Sequence, residues 1–241
     1  LQLALLSLLV VQVSTAQITE KDLEGVEFLE MQDEKGGTIY GFSKGNTMIG
    51  ANMHQHANGM VIYTYFNLEG LAEGTQFGDI PSTGKKIMME MKDNVQHGNT
   101  FKMTGSNVDY AKVFKKGKEK KVMHDPYKSK LSNRERCIGN CIGGFGLYQT
   151  SSGKQTIIGF FDSTKPESPV IHVFESGSMY EGDMKNWDRQ GFGKYTWASD
   201  GSYYVGSWKK GKRHGLGIWF NKDGSIRKKG FFKKDELIIN M

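Results

Sequence analysis

The chain holds only 4 prolines and 2 cysteines among its 241 residues. Two cysteines cannot build the disulfide framework of a cysteine-stapled mini-protein, so the fold has to rest on a hydrophobic core. The 37% of apolar residues suffices for one and excludes a disordered chain. Few prolines beside 31 glycines exclude collagen and proline-rich linkers, and leave glycine to serve tight turns and close backbone approach. No Asn-x-Ser/Thr acceptor occurs, so no glycosylation signal speaks for or against export. Nor does any apolar run reach the roughly 20 residues of a transmembrane helix. The run at the start, "LQLALLSLLVVQVSTA", is uncharged and ends in Ser14, Thr15 and Ala16, which suit a signal-peptidase site before Gln17. Residues 1–16 are expected to be a signal peptide, which implies a secreted, extracellular or luminal protein. The alternatives are an uncleaved membrane anchor or assembly helix, or a core strand.

Motifs for catalysis and cofactors are equally scarce. "GDIPSTGKK" (78–86) resembles a phosphate loop, but five residues separate its glycines and Lys86 stands where Ser or Thr must hold magnesium. "GNCIGGFG" (139–146) is glycine-rich, yet no helical pattern follows it, as dinucleotide binding requires. No Gly-x-Ser-x-Gly nucleophile motif appears. His54-x-His56 could place two imidazoles on one strand face, but no third ligand is evident, so no metal is expected. The chain is therefore expected to be no enzyme and to need no cofactor.

What is abundant is repetition. "GSMYEGDMKNWDRQGFG" (177–193) returns 24 residues later as "GSYYVGSWKKGKRHGLG" (201–217). Gly182, Gly206 and Gly230 follow that step, as do Gly191 with Gly215 and Gly193 with Gly217. A fixed period of this size signals a stacked array. Tyr204-Val205-Gly206-Ser207-Trp208 alternates, putting both aromatics on one strand face. Lys210 to Arg213 then forms a polar turn, Gly215 to Phe220 a return strand carrying Trp219, and Asn221 to Gly224 a second turn, so each unit reads as a β-hairpin. Farther back, Cys137-Ile138-Gly139-Asn140-Cys141 falls where Tyr204 to Trp208 falls, with thiols in place of two core aromatics. Gly45, Gly50 and Gly59 reproduce the offsets of Gly201, Gly206 and Gly215, and residues 24–42 read as a hairpin turning near Gly36 and Gly37.

These residues are similar to the MORN (membrane occupation and recognition nexus) repeat: Tyr-x-Gly-x-Trp, a basic turn ending in His-Gly, Gly-x-Gly and a closing Asp-Gly. The likeness is clear over 178–220, moderate over 135–177 and weak before. Met184 departs from it by replacing an aromatic, and Lys229 by preceding Gly230. The resemblance implies an all-β fold, an elongated antiparallel meander of stacked hairpins after a short apolar helix or signal segment, with Tyr180, Gly182, Gly191, Gly193, Tyr204, Gly206, Trp208, Gly215, Gly217, Trp219 and Gly230 as structural repeat positions. It implies scaffolding more than lipid binding. The chain divides into the leading segment 1–16, degenerate hairpins over 17–108, a basic loop or insert over 109–134, and the repeat region 135–241, with "FFKKDELIINM" as a cap.

Two features bear on partners. The 109–136 stretch holds ten Lys/Arg against four Asp/Glu, a surplus equal to the whole chain's formal +6. Its Lys112, Lys115, Lys116, Lys118, Lys120 and Lys121 could meet anionic lipid or an acidic glycan; an exported chain would not meet nucleic acid. Cys137 and Cys141 are the second feature. On a straight strand their Cα atoms would stand roughly 13 Å apart, beyond the ~4.4–6.8 Å of a disulfide, whereas a bend at Gly139 and Asn140 would let them close. Finally, a single sheet leaves Tyr180, Tyr204, Trp208 and Trp219 on a face that needs a cover. The expected role is a non-catalytic scaffold that binds other subunits, perhaps copies of itself, with peripheral binding to anionic membrane lipid as the alternative.

Overall fold

The computed structural model describes residues 18–105, 107–124, 133–134, 137–150 and 153–241. The leading segment 1–16 lies outside them. Among the described residues there are strands and two short 3-10 turns but no α-helix. The first nine strands are β1 (Val26–Gln32), β2 (Thr38–Lys44), β3 (Thr47–Gln55), β4 (Val61–Phe66), β5 (Gly74–Ile80), β6 (Lys85–Lys92), β7 (Val95–Thr104), β8 (Asn107–Lys115) and β9 (Lys118–His124). Eleven follow: β10 (Asn133–Arg134), β11 (Cys137–Gly139), β12 (Gly143–Gln149), β13 (Thr156–Asp162), β14 (Lys165–Val173), β15 (Met179–Lys185), β16 (Asp188–Thr196), β17 (Tyr203–Lys209), β18 (Lys212–Phe220), β19 (Ile226–Lys233) and β20 (Glu236–Asn240). Each set forms one antiparallel meander in strict chain order.

The two meanders face each other with their strand orders opposed. β12 touches β9, β14 touches β6 and β7, β15 and β16 touch β5, and β17 and β18 touch β3. The architecture is thus a repeat sheet doubled back on itself, not one extended sheet. Between the layers lie Phe42, Ile49, Phe77 and Phe101 from the first sheet and Phe145, Phe192, Leu216 and Phe220 from the second, all buried. The ring of Phe77 stacks on Tyr63 at 4.8 Å and meets Phe192 of the facing sheet at 5.6 Å. Burying such side chains contributes about 1.5–3 kcal/mol each, which is why neither sheet leaves its inner face bare.

Turn chemistry fixes the register. Asn186-Trp187 and Lys210-Gly211 both have positive φ at the two central residues, as do Asp93-Asn94 and Lys234-Asp235. That is the backbone of the two-residue turn whose twist matches an antiparallel pair. A register shift recurs beside these turns: Asp183, Ser207 and, in the first sheet, Glu90 each stand opposite three residues of the returning strand, 190–192, 214–216 and 97–99, so the returning strand carries the bulge. The extra residues interrupt the ladder locally and bend the strand that carries them.

Several sequence expectations change here. Residues 109–124 are not a basic loop: Asp109 to Lys115 and Lys118 to His124 lie in β8 and β9 and pair with one another. Gly45 and Gly59 do not correspond to Gly201 and Gly215: Gly45 sits in the two-residue turn between β2 and β3 whereas Gly201 lies in the longer connection from β16 to β17, and Gly59 sits in the turn after β3 whereas Gly215 pairs inside β18. The proposed cap forms the end of β19 and β20, so the sheet ends in a strand and not in a cover. The first sheet does pack on the repeats, but against the face opposite Tyr180, Tyr204 and Trp208.

Candidate functional site

The outer face of the second sheet is a core in its own right. Tyr180, Met184, Tyr204, Trp208 and Phe232 are buried there with Ile157, Phe161, Val170 and Cys141, and Trp219 packs on them half-buried. Glycine makes this possible. A Cβ on Gly193 would stand 2.5 Å from Tyr180 Oη, and one on Gly217 would stand 2.2 Å from Tyr204 Oη. The rings lie flat on bare backbone and their polar ends are satisfied locally. Tyr180 Oη donates to the Asp183 carbonyl at 2.6 Å, and Trp208 Nε1 donates to the Gly193 carbonyl at 3.0 Å. Two guanidiniums close the layer from outside, Arg189 at 4.4 Å over Trp208 and Arg213 at 4.5 Å over Trp219. The face that was expected to require a partner therefore covers itself.

Where the repeat carries thiols, the same register holds. Cys137 lies opposite Tyr148 and Gly139 opposite Gly146, as Tyr204 lies opposite Trp219 and Gly206 opposite Gly217. Cys137 and Cys141 form a disulfide with their Cα atoms 6.1 Å apart. The strand ends at Gly139, whose φ is +95°, so the chain bends before Cys141 and shortens the span of a straight strand.

Between the sheets lie charges that sequence reading missed. Lys86 Nζ contacts Asp79 and Glu181 at 2.7 Å each, and Lys194 Nζ contacts Tyr63 Oη at 3.1 Å and Asp79 at 3.3 Å. Burial alone would lower the Lys194 pKa, but Tyr63, Glu181 and Asp79 outweigh it and raise it. Two cations and two carboxylates thus form a neutral staple joining β5 and β6 to β15 and β16. The phosphate-loop-like segment belongs to this staple: Pro81–Thr83 is a single 3-10 turn and Lys86 is held by carboxylates.

A cleft of about 1220 Å³ is lined in part by Glu90, Asn99, Glu167 and Asp183. Burial pushes Glu90 up to about 8, against the lowering effect of a hydrogen bond from the Asn99 backbone N–H. Asp183 is also raised by burial, while Thr75 Oγ1 and the Phe192 N–H donate to it. The two carboxylates are counterparts: each stands opposite a bulge, each accepts the N–H nine residues on, and Gly98 and Gly191, both at positive φ within those bulges, precede the donors. Their shared spacing was the sequence signal that could have aligned the two halves. Their acceptors are committed to closing bulges, which makes them supports of the sheet rather than an acid and base poised in a cleft.

The remaining exposed feature is the set of sheet ends. Among the described residues no strand pairs with the outer side of β1, β9 or β20. Each of these three carries a large exposed apolar side chain, Met31, Val122 and Ile238. β1 holds Glu27 and Glu30, whereas β9 holds Lys118, Lys120 and Lys121 with Glu119. Lys115, Lys116, Lys118, Lys120 and Lys121 are exposed on and beside that hairpin, while Lys112 is paired with Glu119 at 2.7 Å. No protein-family model matches the chain, and no curated protein matches it.

Proposed function

We propose that this protein is a non-catalytic structural subunit of an exported assembly, a MORN-like β-repeat scaffold that joins other subunits, its own copies included, through its sheet ends. The observation that carries the reading is the opposite charge of the two ends of the first sheet. Soluble proteins guard open strands with charge and keep large apolar groups off them. Here β1 offers acidic residues with Met31 and β9 offers basic residues with Val122. An end-to-end pairing of β1 on one copy with β9 on the next matches charge, while β1 on β1 or β9 on β9 opposes it, and such head-to-tail contact propagates. The Cys137–Cys141 disulfide supports export, since disulfides persist in oxidising compartments.

A charge swap tests this. Sedimentation velocity of the purified protein at low salt should show concentration-dependent oligomers. Glu27→Lys with Glu30→Lys should abolish them, as should Lys120→Glu with Lys121→Glu, and an equimolar mixture of the two variants should restore oligomers in which the two alternate. A monomer at every concentration that instead floats with anionic vesicles, and detaches as salt rises, would replace this reading with peripheral lipid binding through the basic hairpin.

A further inference from the structure

The turn between β1 and β2 and the end of β3 bring together three donor side chains that the sequence separates. Asp33 opens the turn, and its Oδ1 accepts the N–H groups of Lys35 at 2.8 Å and Gly37 at 2.7 Å. That fixes the carboxylate and leaves Oδ2 directed at His54 Nε2, 2.6 Å away. Gly37 leaves the room for it, since a Cβ there would stand 2.5 Å from Asp33 Oδ2 and 2.7 Å from the Gln55 carbonyl. His54 belongs to β3 and His56 begins the turn that follows, its backbone N–H bonded to the Met60 carbonyl at 2.8 Å. Two residues apart, their rings share a side and meet at a tilt of 31° with centroids 3.8 Å apart. One donor atom from each of Asp33, His54 and His56 lies within 4.8 Å of the others.

His56 is the second, independent observation. Its Nε2 is shielded from solvent and has no hydrogen-bond partner. A buried polar atom left without a partner costs free energy that a neighbouring donor or a bound ion would recover. As placed, the Asp33 carboxylate is bonded to His54 and leaves His56 Nε2 without a partner, whereas a cation set among the three atoms would satisfy all of them.

We propose that Asp33, His54 and His56 form a three-ligand site for a divalent transition-metal ion of the Zn²⁺ class. Two imidazole nitrogens and one carboxylate oxygen suit Zn²⁺, Co²⁺, Ni²⁺ or Cu²⁺ and do not suit Ca²⁺ or Mg²⁺, which take oxygen donors. Ligand bonds of about 2.0–2.2 Å require only that Asp33 and His54 part slightly and that His56 close inward, with water completing a four-coordinate shell. Bound there, the ion would tie the turn beside terminal strand β1 to the β3–β4 turn. The sequence alone offered only the His54-x-His56 pair and led to the expectation of no metal; the third ligand arrives from a different hairpin.

Titration calorimetry of the purified, tag-free protein with ZnCl₂ tests the assignment, with Co²⁺ as a spectroscopic probe. The expected result is one ion per chain, the visible absorption of four-coordinate Co²⁺, and a thermal midpoint that rises with metal concentration. His56→Ala should weaken binding at least tenfold while moving the metal-free midpoint little, because His56 Nε2 has no partner to lose and only the ring contact with His54 goes. Asp33→Asn keeps an acceptor for Lys35 and Gly37 and should weaken binding by a similar factor, which provides a second route if one variant folds poorly. Wild-type protein that binds neither ion, or a His56→Ala protein with undiminished stoichiometry and affinity, would overturn the proposal.

Discussion

The two sheets share strand order, two-residue turns and bulges, yet only the second has a core on its outer face. The difference lies in a few equivalent positions. Tyr180 pairs with Tyr195 and lies over Gly193, whereas its counterpart Ile87 pairs with Lys102 and the place of Gly193 is taken by Thr100. Met89 and Lys112 occupy the places of Gly182 and Gly206. A large ring needs bare backbone beneath it, and a side chain on that backbone needs a smaller neighbour; the two solutions exclude each other. The repeat that is plain in the second sheet is the signature of the ring-on-glycine solution, and not of the meander itself.

The largest expected effect follows from removing a ring. Trp208→Ala should cost roughly 3–5 kcal/mol of unfolding free energy, because Trp208 is buried, bonded to Gly193 and covered by Arg189. Met91→Ala, at the matching but only half-buried position of the first sheet, should cost about 1 kcal/mol. Urea unfolding of both variants decides it, and equal losses would mean that the outer core has no special weight.

Filling a glycine should come next. Gly217→Ala drives a Cβ into Tyr204 and should cost about 1–3 kcal/mol. Gly78→Ala in the first sheet meets Ile87 only at an ordinary 3.5 Å, so stability should hold or rise by up to about 1 kcal/mol. Comparable destabilisation of the two would contradict the division between the sheets.

A subtler effect probes what the sheets have in common. In the folded state Glu90 titrates at about 8, above its ordinary 4.5. Across that interval the unfolded chain has released the proton that the folded chain retains, so stability falls as pH rises from about 5 to 8. Glu90→Gln should therefore gain on the parent protein as pH rises, with its advantage in thermal midpoint complete above pH 8. Asp183→Asn should show the same sign, since burial raises Asp183 too. Midpoint curves parallel to the parent's would exclude these bulges as titrating positions.

Much of this was legible beforehand where glycine and aromatic residues mark it. The hairpins of 177–233, the turn at Gly36 and Gly37, and the alignment of Cys137 and Gly139 with Tyr204 and Gly206 all followed from local spacing; Cys141 leaves the strand where Trp208 stays in it. The first sheet resisted because Ile87, Met89 and Thr100 are ordinary strand residues that leave no periodic mark. Its hairpin β8–β9 was obscured further by lysines, which face water and say little about pairing. Asp33 was invisible as a ligand because 21 residues and two strands separate it from His54.

By itself the sequence determined the all-β class, the hairpin unit and the face on which the repeat aromatics lie, since each depends on neighbours within a few residues: alternation along a strand, positive φ in a two-residue turn, a ring beside its glycine. Only the tertiary structure decided that the meander doubles back, which face the first sheet covers, that Lys86 and Lys194 neutralise Asp79 and Glu181 between the layers, and that Asp33 reaches His54. Those outcomes depend on contacts such as Lys86 with Glu181, 95 residues apart. Their energy comes from excluding water between surfaces that no local pattern identifies as partners.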